Sequence, residues 1–260
     1  MQDRDQIISA AHAMADAARA AILPLFRRSI GVDNKADAGF DPVTEADRAA
    51  ETAMRAVLAR LRPDDAILGE EFGSQPGTTG LQWVLDPIDG TRAFICGAAS
   101  WGVLIALCDD SGPIYGLIDQ PHIGERFEGG LGLARLVGPS GELALRVRPP
   151  RPLAQAILMT TFPEIGTESE AKRFRNLSER TVLTRYGMDC YAYGLLALGQ
   201  IDLVVEAGLQ PYDIAAPMAV VQAAGGIVTD WQGGTARHGG QVIAASCPEI
   251  HAEALSLLNR

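Results

Sequence analysis

The sequence lacks an apolar run approaching the ~20 residues that a membrane-spanning helix needs. At its N-terminus, M-Q-D-R-D-Q-I-I-S-A-A-H, Asp3, Arg4 and Asp5 stand where a secretory signal would carry basic residues and then an apolar stretch. Membrane insertion and export are both disfavoured, and a cytoplasmic location is expected. Cysteine is scarce. Cys96, Cys108, Cys190 and Cys247 are far apart, with no C-x-x-C pair and no metal-ligand spacing, so they read as reduced thiols. There is no low-complexity tract and no repeat at a solenoid period. Positive charge is in deficit: 22 Lys and Arg against 32 Asp and Glu give a formal charge of -10, which repels a nucleic-acid backbone. A single acid is ordinarily solvated surface, so any function must be argued from acids that converge.

What is present suits a soluble globular chain. Its 260 residues, 47% hydrophobic and 21% charged, can bury a large core as one domain or as two packed halves. Ile7, Ala11, Met14, Ala18, Ile22 and Leu25 recur at helical steps, predicting a helix over 5–27 that Pro24 ends or kinks. A loop over 31–42 follows, in which Lys35 reads as a surface lysine. From Thr44 a second helix turns Ala50, Met54, Val57, Leu58 and Leu61 inward until Pro63. The runs A-I-L-G, W-V-L-D, W-G-V-L-I-A-L and I-Y-G-L-I-D read as strands between turns. The segment G-E-L-A-L-R-V-R-P-P-R-P, ending at Pro152, is the candidate junction between an N-terminal α+β half, 1–150, and a C-terminal α/β half, 151–260. In the second half the expected order is strand A-I-L-M-T, a helix near 169–180, strand T-V-L and a helix over Tyr191–Leu198. Strand I-D-L-V-V-E, a helix from Asp213 and paired strands near Ile227 and Val242 complete it.

The chemistry centres on D-P-I-D-G-T, Asp86–Thr91. Asp86 ends an apolar strand and Asp89 follows three residues later across a proline-bearing turn, so two carboxylates and the Ile88 carbonyl can meet at one point. Hard divalent cations take oxygen ligands of this kind. Gly90 and Thr91 offer N–H groups and a hydroxyl to an anion where a helix begins. An Asp-Gly turn alone would be punctuation, but a turn needs neither a second acid nor a threonine in fixed register. The acids of G-E-E, Glu70 and Glu71, follow another short strand and can reach the same rim. Thr44 and Asp47 form T-x-x-D, a capping-box-like signature.

Four blocks in order, D-P-V-T-E-A-D (Asp41–Asp47), G-E-E, D-P-I-D-G-T and P-Y-D-I-A-A-P-M-A-V-V-Q-A-A-G-G (Pro211–Gly226), make the sequence resemble the inositol monophosphatase superfamily of magnesium-dependent phosphatases. The resemblance implies a layered αβαβα sandwich, a homodimer, and two or three Mg²⁺ ions per site. It assigns Glu70, Asp86, the Ile88 carbonyl, Asp89 and Asp213 to the metals, and Gly90 and Thr91 to phosphate. Asp47, Thr91 and Glu70 become catalytic, with Asp47 serving the Thr91 hydroxyl in place of capping. Tyr212 stands before Asp213 where many members have tryptophan, so an aromatic is kept.

Within the superfamily the sequence is similar to the histidinol-phosphate phosphatases through D-G-T-R-A-F-I, A-S-W-G-V-L-I-A-L, I-D-Q-P-H-I-G-E-R-F and G-M-D-C-Y-A-Y-G-L-L-A-L-G-Q-I-D-L-V-V-E. Arg92 and Asp189 depart from the T-N-F and the small neutral residue usual in inositol phosphatases. Asp189 and Glu206 beyond the metal site suit a leaving group that bears an ammonium, a small phosphorylated amino alcohol. Otherwise Asp189 would be a helix N-cap and Glu206 a solvated strand end. Tyr191, Tyr193 and Trp101 read as core, and His122 and His238 as loop residues. Arg92 is open between substrate orientation, a dimer contact and a surface pair. The expected substrate is L-histidinol phosphate. Inositol 1-phosphate and a 3'(2'),5'-bisphosphate nucleotide are the alternatives, and a non-catalytic partner of RNA machinery is a remote third. No nucleic acid or membrane is expected as a partner.

Overall fold

A computed structural model describes residues 2–29, 31–34 and 42–260. Lys35, Asp41 and most of the expected loop over 31–42 lie outside the described residues. Helix α1, Gln2–Ile22, stops two residues before Pro24 and a turn follows, so the periodic residue Leu25 falls beyond the helix. Strands β1, Val32–Asn34, and β2, Pro42–Thr44, form a short antiparallel ribbon, and α2, Glu45–Leu61, starts from Thr44 as its N-cap. Then come β3 (Ala66–Gly69), β4 (Gly73–Gln75), β5 (Gln82–Asp89), α3 (Thr91–Ile95), β6 (Gly102–Asp109), β7 (Gly112–Gln120), β8 (Glu125–Gly130), β9 (Leu133–Gly138) and β10 (Gly141–Ala144).

These form an eight-stranded sheet in the order β10-β9-β8-β7-β6-β5-β3-β4, antiparallel except between β3 and β5. The sequence reading missed β8 to β10. β8 carries glycines and the buried charges Arg126 and Glu128, and β10 is exposed at every residue, so neither shows apolar alternation. The expected junction is partly strand: Gly141–Ala144 pairs with β9, and the second sheet begins at Ile157.

The second half runs β11 (Ile157–Thr160), α4 (Glu168–Ser178), β12 (Leu183–Tyr186), α5 (Tyr191–Ala197), β13 (Leu203–Leu209), α6 (Pro211–Ala223), β14 (Ile227–Asp230), β15 (Gly240–Ala245) and α7 (Pro248–Leu258). Its sheet is ordered β12-β11-β13-β15-β14, with parallel pairs at β11 and antiparallel ones at β15. The strand expected at T-V-L lies later, over Leu183–Tyr186.

Strand periodicity sorts the core into layers. Trp83, Leu85, Val103, Ile105 and Leu107 face α1 and α2, while Val84, Leu104 and Ala106 face the other way, toward α5 and α6. The second sheet repeats this: Val204, Val242 and Ala244 join the same central layer, and Leu203, Val205, Ile243 and Ala245 face α4 and α7. The result is the αβαβα sandwich that the resemblance implied. Helix α6 is apolar on every side because it lies between two sheets. It sits so close to the first sheet that a Cβ on Gly129 would lie 2.4 Å from the Val220 Cα.

Candidate active site

In a regular strand, residues three apart face opposite sides. Asp86 pairs with Leu104 and Asp89 with Gly102, so β5 spends one extra residue there, a bulge that accommodates Pro87 and brings both carboxylates to one side. Asp86 is buried and its Oδ1 accepts the Ile88 N–H at 3.0 Å. Asp89 Oδ2 accepts the Cys190 N–H at 2.6 Å, which ties β5 to the start of α5. Immediately after the bulge, Gly90 adopts φ 89° and caps α3, so the N–H groups of Gly90 and Thr91 begin a helix.

Asp213 reaches the same point from α6. It is the third residue of that helix and one oxygen accepts the Gln210 N–H at 2.7 Å, a capping box that fixes the carboxylate. Asp86, Asp89 and Asp213 each offer one oxygen within 4.8 Å of the others. Glu70, at the end of β3, lines the same cleft and hydrogen-bonds to Asp86. Burial pushes the Asp86 carboxyl well above the usual range, and the charges of Glu70, Asp89 and Asp213 push it further. Asp89 is raised by burial, then by Asp189 and Asp213, against the opposing Cys190 N–H. Carboxyls that destabilise one another's charge across so short a distance fit a cation between them, and an all-oxygen anionic donor set fits a hard divalent one.

Asp47 makes the capping contact and the contact with Thr91 at once. Its Oδ2 accepts the Thr44 N–H at 2.9 Å and the Thr44 hydroxyl at 2.6 Å, completing the capping box of α2. Its Oδ1 accepts from the Thr91 hydroxyl at 3.3 Å, and that hydroxyl also lies 3.1 Å from the Ile88 carbonyl. Capping uses one oxygen and the dyad the other, so the cap holds the dyad in place.

The cleft, about 540 Å³, continues past these acids to Asp189 and Glu206. Asp189 is not a side-chain cap. Its φ is 46°, Cys190 is the N-cap of α5, and the Asp189 carboxylate instead accepts the Ser100 hydroxyl at 2.8 Å. Burial raises this carboxyl, opposed by Ser100 and by the charge of Arg92. Glu206 is neither solvated nor at a strand end: only 6% exposed, it precedes an irregularity in β13, which runs on to Leu209. It accepts from the Thr160 hydroxyl at 3.1 Å, the Thr161 N–H at 2.7 Å and the Thr161 hydroxyl at 2.9 Å. Burial nevertheless pushes it up to about 7.

Arg92 stands on the rim with its guanidinium over the Phe162 ring, 5.0 Å from the centroid. Trp101 and Tyr193 are buried, and Tyr191 packs on Phe127 and donates to Glu125 at 2.5 Å, so none of the three stacks in the cleft as an exposed platform. His122 sits in a turn against Phe26, and His238 in a loop beside Arg237. The supporting residues Ser100, Thr160, Thr161 and Phe162 had escaped the sequence reading.

Residues at the N-terminal ends of α3 and α6, and Asp189 just before α5, line the cleft, and helix N-termini favour anions. A cleft in which converging carboxylates fit a cation beside helix N-termini that favour an anion suits the hydrolysis of phosphoric monoesters, and this protein is a phosphatase of that class. The chain belongs to the inositol monophosphatase family, whose sequence model matches residues 3–260. It is 40% identical over 98% of its length, and 75% of the relative's, to the "Bifunctional phosphatase IMPL2, chloroplastic" of Arabidopsis thaliana. It is 35% identical to the histidinol-phosphatase of Streptomyces coelicolor over 96% of both chains. Among solved structures, an inositol monophosphatase from Zymomonas mobilis superposes with a TM-score of 0.87 at 43% identity, covering 98% of each chain.

Proposed function

We propose that this chain is a Mg²⁺-dependent histidinol-phosphate phosphatase that hydrolyses L-histidinol phosphate to L-histidinol and phosphate. The observation that carries the reading is the position of Asp189: its Cγ lies 2.8 Å from where a Cβ on Gly90 would stand, so it adjoins the N–H groups offered to phosphate. A carboxylate that near to a bound phosphate suits a substrate with its ammonium on the carbon next to the ester-bearing one. Glu206 adds a second buried acid on the same wall, and a polyol has no comparable use for two. The histidinol-phosphatase relatives support the same reading.

Glu70, Asp86, the Ile88 carbonyl, Asp89 and Asp213 would hold two or three Mg²⁺ ions, which neutralise the phosphate dianion, acidify a water and stabilise charge on the leaving oxygen. The chain's own groups do the rest. The Gly90 and Thr91 N–H groups hold phosphate oxygens at the start of α3. Thr44 pins one Asp47 oxygen, so the other stays aimed at Thr91. The Thr91 hydroxyl can then pass a proton from the attacking water to Asp47 Oδ1. Asp189 and Glu206 orient the ammonium, and Arg92 shields Asp189 at the rim.

Replacing Asp189 by Asn or Glu206 by Gln tests this. Each should raise KM for L-histidinol phosphate about tenfold or more, the value of a hydrogen bond between charged groups, while p-nitrophenyl phosphate hydrolysis changes less. Equal losses on both esters would sink the ammonium reading. The second reading, an inositol monophosphatase, draws on the 43% identity to the Zymomonas mobilis protein. It requires inositol 1-phosphate to be the better substrate.

A further inference from the structure

At the base of the cleft lies a cavity of about 20 Å³ that shares Asp89, Thr161, Asp189, Glu206, Leu209 and Asp213 with it and adds Cys190 and Tyr193. Such a space takes one group the size of a water molecule, provided two to four polar partners line it. Tyr193 is 3% exposed, and its hydroxyl is a buried polar atom with no hydrogen-bond partner in the protein. A buried hydroxyl left unpaired is destabilising, so a group that enters this cavity and bonds to it recovers that loss. The ring itself packs in the central core layer.

We propose that this cavity is the seat of the substrate's ammonium group and that the Tyr193 oxygen is its third acceptor, beside the carboxylates of Asp189 and Glu206. The proposal rests on the histidinol-phosphate reading and deepens it. An ammonium has three N–H donors and no acceptor, and three acceptors, two from the start of α5 and one from β13, would hold it without a bridging water. The demands on each partner are compatible. Asp189 uses Oδ2 for Ser100, and Glu206 has accepted three bonds of the four or so that its lone pairs allow. The phenol oxygen, which has no partner in the protein, has a lone pair that can accept an N–H of the ammonium. Tyr193 thereby contributes to selectivity for an amine over a hydroxyl-bearing ester, since an alcohol offers one donor to three acceptors.

The test compares kcat/KM for L-histidinol phosphate with that for the same imidazolyl-propanol phosphate lacking the amine, in the Mg²⁺-loaded wild type and in Tyr193→Phe. The wild type should prefer the amine, and Tyr193→Phe should lower that preference about tenfold, chiefly through KM. Calorimetry with L-histidinol on the Mg²⁺-free protein should show a parallel loss of affinity in the variant. A strong wild-type preference that Tyr193→Phe leaves intact rejects the role of the tyrosine while sparing the histidinol-phosphate reading. A wild type indifferent to the amine rejects that reading, and this subsite with it. Equal losses on both esters mean that the hydroxyl serves only to hold a water or the fold.

Discussion

Gly90 carries the strictest steric condition in the site. At φ 89° any side chain is strained, and a Cβ there would meet Asp189. Gly90→Ala should therefore displace either the phosphate-binding turn or Asp189, and kcat/KM for the favoured ester should fall about 100-fold with a far-UV spectrum like that of the wild type. Glu206 makes a prediction in pH. Its folded value of about 7 lies above the ordinary 4.5, so the fold favours its protonated form. The stability it contributes is full below about pH 4.5 and is lost as pH rises through 7, a loss of up to about 3 kcal/mol. Thermal unfolding of the Mg²⁺-free protein between pH 5 and 8 should show this decline, and Glu206→Gln should flatten it. Residues with unusual chemistry in fixed register, Asp86, Asp89 and Thr91, were legible in the sequence. Ser100, Thr161 and Tyr193 were not, because a serine, a threonine and a tyrosine acquire meaning only from the carboxylate or cavity that the fold brings to them.

Among the elements, helix starts do most of the positioning. Asp47 and Asp213 occupy the third position of α2 and α6, each tied to the residue that caps its helix. Thr44→Ala removes the hydroxyl that accepts the Ala46 N–H and donates to Asp47, and leaves the bond from the backbone N–H of residue 44 to Asp47 in place. It should lower stability by about 1 kcal/mol and reduce kcat more than it raises KM, and Thr44→Ser should restore both; a kcat unaffected by the alanine would show that the cap does not hold the dyad. The T-x-x-D signature was visible in the sequence, but that both of its readings hold at once was not, since the two oxygens of Asp47 are distinguishable only in three dimensions. Likewise the bulge in β5 could be suspected from Pro87, whereas β8 was hidden by its buried charges, Arg126 and Glu128. Glu128 takes bonds from His12, Tyr115 and Arg135, an arrangement no periodicity reveals.

For the whole molecule, α6 is the common wall of both sheets, and its close seat is a condition of the site. Gly129→Ala would press a methyl group on the α6 backbone and should destabilise the protein by about 3 kcal/mol, read as a lowered denaturation midpoint, with Asp213 displaced as well. The layer order came from the resemblance, while the residue pattern itself showed the two amphipathic helices and the first apolar strands. A cation in the cleft should link stability to the site. Mg²⁺ should raise the melting temperature, and less so as the pH is lowered, because the raised carboxyls of Asp86 and Asp89 take up protons that compete with it.

The central claim, an active site built on Asp86–Thr91 and selective for an amino-alcohol ester, is tested most directly by phosphate release at saturating Mg²⁺ from L-histidinol phosphate and from inositol 1-phosphate. The account predicts a kcat/KM for L-histidinol phosphate at least about 100-fold higher, the value of two charge-assisted hydrogen bonds. A preference for inositol 1-phosphate would contradict it.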